Sequence, residues 1–190
     1  MDVATESGIE NSLEHKFARD LIRFVLHENW PSLQWKPTGI FLEPSFDSPF
    51  TPQFQDAVMR ELEYSKHRHQ AFYEKYFSNK SILRDKYYEL LSKAKDVFVN
   101  NGFHPKYLVE FSVLLAKFAG FSYFWGLTTA PEQSYELLVA AMRELKLLGR
   151  FEDSAWDGVQ DWLESGFEEA AESFDESEEE ANDFNEMVQA

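Results

Sequence analysis

PKYLVEFSVLLAKFAGFSYFW, residues 105–125, is apolar on nearly every side when wound into a helix. A helix without a polar face cannot rest on a protein surface, so this one belongs at the centre of a helical assembly. About 20 apolar residues also suffice to cross a bilayer. The run 107–127, however, holds Glu110 and Lys117 and lacks a basic flank. A core helix is therefore expected, and no membrane association.

Working outward, the flanking segments carry one-sided helical stripes. Downstream, Thr129, Ala130, Pro131 and Glu132 read as a capping box, and Tyr135, Leu138, Met142, Leu145 and Leu148 run to a stop at Gly149. Upstream, Leu83, Tyr87, Leu90, Leu91, Ala94, Val97 and Phe98 recur at helical spacing from about Ser81. Asn100, Asn101 and Gly102, which tolerate a left-handed backbone, close that helix. Thr51 and Pro52 open another, with the stripe Phe54, Val58, Leu62, His69, Phe72, Tyr73 and Tyr76 continuing to about Asn79. The first helix shows Leu13, Phe17, Leu21, Phe24 and Val25, with Asn11 and Glu14 as its cap and Trp30-Pro31 as its stop.

Residues 31–52 hold five of the seven prolines and cannot form a long helix. Trp35, Ile40, Phe41, Leu42, Phe46 and Phe50 predict an ordered loop packed on the body. No strand alternation and no internal repeat interrupts the helical pattern. The expected fold class is all-α: a helical bundle of about five helices around a buried fourth helix, plus an acidic C-terminal helix or tail. Residues 1–150 form the body on this reading, and residues 151–190 an acidic, aromatic-containing C-terminal segment.

Charge divides the chain at the same place. The total is −16. Residues 151–190 contain 15 acidic and no basic side chains, so residues 1–150, with 19 acidic and 18 basic, sum to −1. Within the body, residues 60–106 are mildly basic, with 10 basic and 6 acidic side chains. That middle reads as a solvated face, with docking of the acidic tail on it as the alternative, and an overall pI near 4.6 argues against direct nucleic-acid binding.

The acidic segment is patterned. Ser154 with Asp157 can start a helix that places Trp156, Leu163, Phe167, Ala170 and Phe174 on one face. Asp157, Asp161, Glu164, Glu168, Glu172, Asp175 and Glu179 then line the face roughly opposite. Like charges four apart destabilise a helix by a few tenths of a kcal/mol, so such a stripe does not serve helix stability. Carboxylates repeating every ~5.4 Å along a helix approach the spacing of phosphates on a nucleic-acid strand. A solvated tail that keeps an aromatic-rich protein soluble is the plainer alternative. Two Trp and four Phe interleaved with the acids favour a specific contact.

Catalytic constellations are scarce. The absence of cysteine excludes disulfides, thiol nucleophiles and Cys metal sites. Neither a phosphate-cradling glycine loop nor a Gly-x-Ser-x-Gly elbow occurs, and only 8 glycines are present. A metal-carboxylate bundle needs Glu-x-x-His pairs, and no such spacing exists here. His69 on an apolar stripe reads as a satisfied core histidine, and Glu110 and Lys117 as structural ion-pair partners of each other or of neighbours.

The N-terminus lacks the basic and apolar regions of a signal peptide, so a cytoplasmic location is expected. The chain is expected to be a non-enzymatic, acidic protein-interaction module without cofactor or metal. Its sharpest form is an inhibitor that binds the basic nucleic-acid-binding surface of an enzyme or effector. Asp157, Asp161, Glu164, Glu168 and Glu172 then face the partner, while Trp156, Trp162 and Phe167 anchor apolar contacts. Alternatives are an assembly adaptor or chaperone for a basic protein, and a helical-bundle metal-dependent oxidase or ligand-binding protein.

Overall fold

A computed structural model describes residues 11–42, 44–77 and 84–166, and among these every regular element is helical. Seven α-helices follow in order: α1 Leu13–Arg23, α2 Pro52–Tyr64, α3 Lys66–Tyr76, α4 Arg84–Asn100, α5 Pro105–Phe124, α6 Ala130–Leu147 and α7 Ala155–Glu164. The all-α class is thus observed.

Helix α1 buries Phe17, Ala18, Leu21 and Ile22 and then widens into a π turn, Phe24–Glu28, which turns Phe24, Val25 and Leu26 all inward. Asn29 ends it twice over: its backbone N–H and its side-chain Nδ2 both donate to the Phe24 carbonyl, at 3.1 and 2.8 Å. Pro31 then has no N–H with which to continue. Ser12 occupies the N-cap position without a side-chain cap bond, so the expected Asn11–Glu14 cap does not form. Glu14 is instead buried and paired with Lys146 of α6.

The proline-rich loop is fixed through the polar face of α1. Arg23 donates to the Phe41 carbonyl, Arg19 Nε donates to Ser45 Oγ at 3.0 Å, and Asp20 accepts from the Ser45 N–H at 3.1 Å. Leu33, Trp35, Phe41 and Phe50 are buried by this arrangement. Leu42 and Phe46 are not: they stay 64% and 89% exposed, because the loop is held there by its backbone and by Ser45. Their expected packing on the body is corrected accordingly.

One long helix over residues 51–79 was the sequence expectation, and the chain breaks it at Ser65. Thr51 does cap α2, accepting from Phe54 N at 3.3 Å. The buried Ser65 hydroxyl, however, donates to the Glu61 carbonyl at 2.6 Å, competing with the helical bond from its own N–H to the same oxygen. Such back-bonding bends helices. Ser65 sits at φ −91°, ψ 1°, and α3 sets off anew.

Helix α5 buries residues on all sides, from Leu108 through Ser122, as its composition demanded. It is 20 residues long and apolar enough to cross a membrane, yet 67% of its most apolar window lies inside the protein. It contacts α1, α2, α3, α4, α6 and α7. Helix α6 shares the central position, packing on α1, α4 and α5 and burying eleven side chains, far more than its stripe implied. Leu148 is exposed, and Thr129 forms no cap bond, so the expected capping box is absent. Buried hydroxyls tie the two central helices together. Tyr87 and Ser134 lie 2.6 Å apart, and Ser134 donates to the Leu115 carbonyl at 2.9 Å. Phe98 and Phe111 stack at 4.6 Å between α4 and α5.

Candidate functional site

The acidic helix α7 forms where the aromatic-acidic pattern begins. Ser154 stands at its N-cap without a side-chain cap bond; the first turn is closed instead by backbone bonds from Ala155, Trp156 and Asp157 to Glu152, Asp153 and Ser154. Asp157 lies in the first turn, where the helix dipole favours a carboxylate. Gln160 Nε2 donates to Glu164 one turn on, at 2.7 Å.

One face of α7 is locked down. Trp156, Val159 and Leu163 are buried, as is Phe151 before the helix. The Trp156 ring packs on Phe17 of α1 at 4.9 Å and on Phe151 at 5.1 Å, and Phe151 rests against Phe103 at 4.7 Å. Thr51 donates to Gln160 Oε1 at 2.8 Å, so the residue that caps α2 also holds α7. Trp162 is half-buried with its ring 5.9 Å from His104, whose Nδ1 caps α5 by accepting from Lys106 N. Residues 151–166 therefore share the core of the preceding helices.

The opposite face carries the acids. Asp157, Asp161 and Glu164 are exposed, as are Glu152 and Asp153 just ahead of the helix. Of these, Asp153 pairs with Lys146 at 2.5 Å while staying exposed. Of the residues expected to bind a partner, Trp156, Asp157, Asp161, Trp162 and Glu164 are brought together on one short helix, with both Trp rings turned to the body. Phe167, Glu168 and Glu172 lie outside the described residues.

His15 and His69 are buried in the core, and Glu61 and Glu110 lie partly buried beside it. His69 is buried beside Ser65, with Nδ1 3.2 Å from the hydroxyl. Burial, with the Arg68 and Lys117 charges, lowers it to about 3, so it stays neutral. Burial and the nearby Glu110 carboxylate push Glu61 up to about 7, against the pull of Arg68, which bridges to it at 3.4 Å. Glu110 pairs with Lys106 at 3.9 Å rather than with Lys117. His15 was not singled out by sequence; it hydrogen-bonds Tyr135 through Nδ1 and accepts from Arg143 at Nε2 at 2.7 Å, joining α1 to α6. Among the described residues no group of three or more His, Cys, Asp or Glu could hold a metal ion.

Sequence reasoning also missed a cleft of about 380 Å³ at the far end of α5. Trp30, Tyr73, Phe77, Phe121, Phe124 and Trp125 line it, with Ser32, Gln70 and Glu74 as its polar members. Trp30 reaches its place because Gly120 has no side chain: a Cβ there would stand 2.2 Å from the indole ring. The one available signal was the density of aromatics closing the 105–125 stretch. No protein-family model, curated protein or solved structure matches this chain.

Proposed function

We propose that this chain acts by binding, presenting the acidic face of α7 and the segment beyond it to a basic protein partner in the cytoplasm. The observation that carries the reading is the two-sidedness of α7. Trp156, Val159 and Leu163 fix the helix, while Asp157, Asp161 and Glu164 remain in water without a cation among the described residues. Fixing the helix orders the carboxylates, and ordered charge is worth more to a partner than charge on a free chain.

In this reading the helices form a bundle centred on α5, with α7 packed into it through Trp156, Val159 and Leu163 and its acidic face turned outward. Asp157 and Asp161 sit about 6 Å apart along the axis, four residues at 1.5 Å each, which is within the scale of successive phosphates. A surface built to hold nucleic acid would be attracted to such a line, so inhibition by occupying that surface is the expected activity.

The test uses the full chain and a variant carrying Asp157→Asn, Asp161→Asn and Glu164→Gln. Partners are cross-linked in the native host and identified, and the purified partner is then assayed for nucleic-acid binding. The full chain should compete with nucleic acid for the partner, and the neutralised variant should not. Equal competition by both would overturn the proposal, as would a partner whose contact surface is not basic.

A further inference from the structure

The cleft at the end of α5 is braced by its own side chains. Trp30 is seated over Gly120, where a Cβ would stand 2.2 Å from its ring. Phe121 meets Trp30 edge-on at 5.5 Å and lies 4.9 Å from Tyr73. Tyr73 packs on Phe77 at 4.9 Å, and its hydroxyl lies 3.3 Å from that of Ser122 on α5. Rings held on several sides need no guest to order them, and such preorganisation lowers the cost of binding. The volume of about 380 Å³ falls within the ~300–1,000 Å³ typical of small-molecule sites. Phe124, 62% exposed, stands at the mouth.

Lys117 supplies the charge. It shares a face of α5 with Phe121 and Phe124, four and seven residues on. Its Nζ stands 4.5 Å from the centre of the Trp30 ring and 5.2 Å from that of Phe121, both of which line the cleft. The side chain is partly buried, and burial holds it below the usual lysine range. Among the described residues no carboxylate comes within ion-pair distance of it. An ammonium carries three N–H donors, and ring faces attract it without offering a lone pair. A carboxylate would supply that acceptor. Glu74, the acid among the lining residues, is exposed and already accepts from Gln70 at 3.1 Å, so it has no such need. A partly desolvated cation beside preformed rings therefore selects a flat apolar body that ends in an anion.

We propose that the cleft binds a small planar aromatic carboxylate, its ring held among Trp30, Tyr73, Phe77 and Phe121 and its carboxylate accepting from Lys117 Nζ. A neutral molecule of the same shape would fill the rings and leave the ammonium without an acceptor. The site requires no partner for α7, so it stands or falls separately from the proposed function.

The probe is naphthoate at neutral pH, with naphthamide as its uncharged counterpart of the same shape. Each is titrated into the isotope-labelled full chain and followed by the indole N–H signals. Naphthoate should shift the Trp30 signal saturably, while Trp35 and Trp156, which line no part of the cleft, keep theirs. Naphthamide should bind at least ~10-fold more weakly, for want of the charge-assisted hydrogen bond. Lys117→Met, of similar length and without charge, should bind the two probes equally. Failure of naphthoate to shift Trp30 saturably, or equal affinity of the two probes for the unaltered chain, overturns the proposal. So does a preference for naphthoate that persists in Lys117→Met. The comparison of the two probes on the unaltered chain decides the matter even where that variant does not fold.

Discussion

The two ends of α5 use the same residue types in opposite ways. At its N-terminal end, Phe151 and Trp156 are buried, Trp162 rests on His104, and acids cover the outside. At its C-terminal end, Phe124 is 62% and Trp125 41% exposed, and Lys117 stands over the Trp30 ring. The difference lies in what each end lacks. A helix with one apolar face, α7, covers the first end, while Phe124 and Trp125 keep much of their surface exposed at the second. One end is therefore a finished surface presenting charge, and the other an unfinished one presenting rings.

The largest effect comes from removing the cover. Ending the chain after Arg150 strips Phe151, Trp156, Val159 and Leu163 from the core, at ~1.5–3 kcal/mol for each side chain. That sum rivals the whole stability of a typical domain, ~5–15 kcal/mol, so thermal melting should lose its cooperative transition. A chain ending after Gly166 keeps all four and should retain a cooperative transition. Equal melting by both truncations would show that α7 does not stabilise this end.

At the other end, Gly120→Ala should displace Trp30, since the new methyl would meet the indole ring. Overpacking of this kind costs ~1–3 kcal/mol. Denaturant midpoints, with the emission maximum of Trp30 shifting to the red, would report it. An unshifted emission would mean that the ring does not depend on that gap.

Between the ends, at the Ser65 bend, Glu61 gives a pH-dependent effect. Its folded value of about 7 lies above the ordinary 4.5, so the folded state binds the proton more tightly than the unfolded one. Ionisation then removes stability as pH rises from 4.5 to 7, and the loss is complete above that. Glu61→Gln has nothing to ionise. Relative to wild type it should gain across that window, by at most about 3 kcal/mol, a shift that already contains the pull of Arg68. Only the difference between the two proteins is informative, because protonation of the depressed His69 tilts both curves the opposite way in acid. A difference that is flat with pH would place Glu61 in water.

What could be read from sequence followed from local pattern. The 105–125 stretch demanded burial and received it, and Thr51-Pro52 started a helix because cap and proline act within one turn. Ser65 was invisible for the same reason: a serine in an apolar-periodic run does not declare whether its hydroxyl will turn back on the Glu61 carbonyl. Leu42 and Phe46 misled because hydrophobicity alone cannot tell a packed side chain from one left outside by Arg19 and Arg23 holding the loop. On α7, the inward Trp156 and outward Asp157 and Asp161 were legible from spacing. The cleft was not, since it requires Trp30 and α3 to meet the end of α5 across long stretches of chain.

The smallest effect on stability belongs to the acidic face and carries the largest consequence for binding. Asp157→Asn, Asp161→Asn and Glu164→Gln together should leave the melting temperature nearly unchanged, within ~0.5 kcal/mol, because these side chains are exposed and, among the described residues, bond only to Gln160. The measurement that bears most directly on the binding account is the affinity of the purified partner for the full chain and for this triple variant across a salt series. The account predicts binding that weakens steeply with salt, and a variant at least ~10-fold weaker at low salt with a shallower salt dependence. Equal affinities with equal salt dependence would contradict it and leave the acidic face a solvated surface.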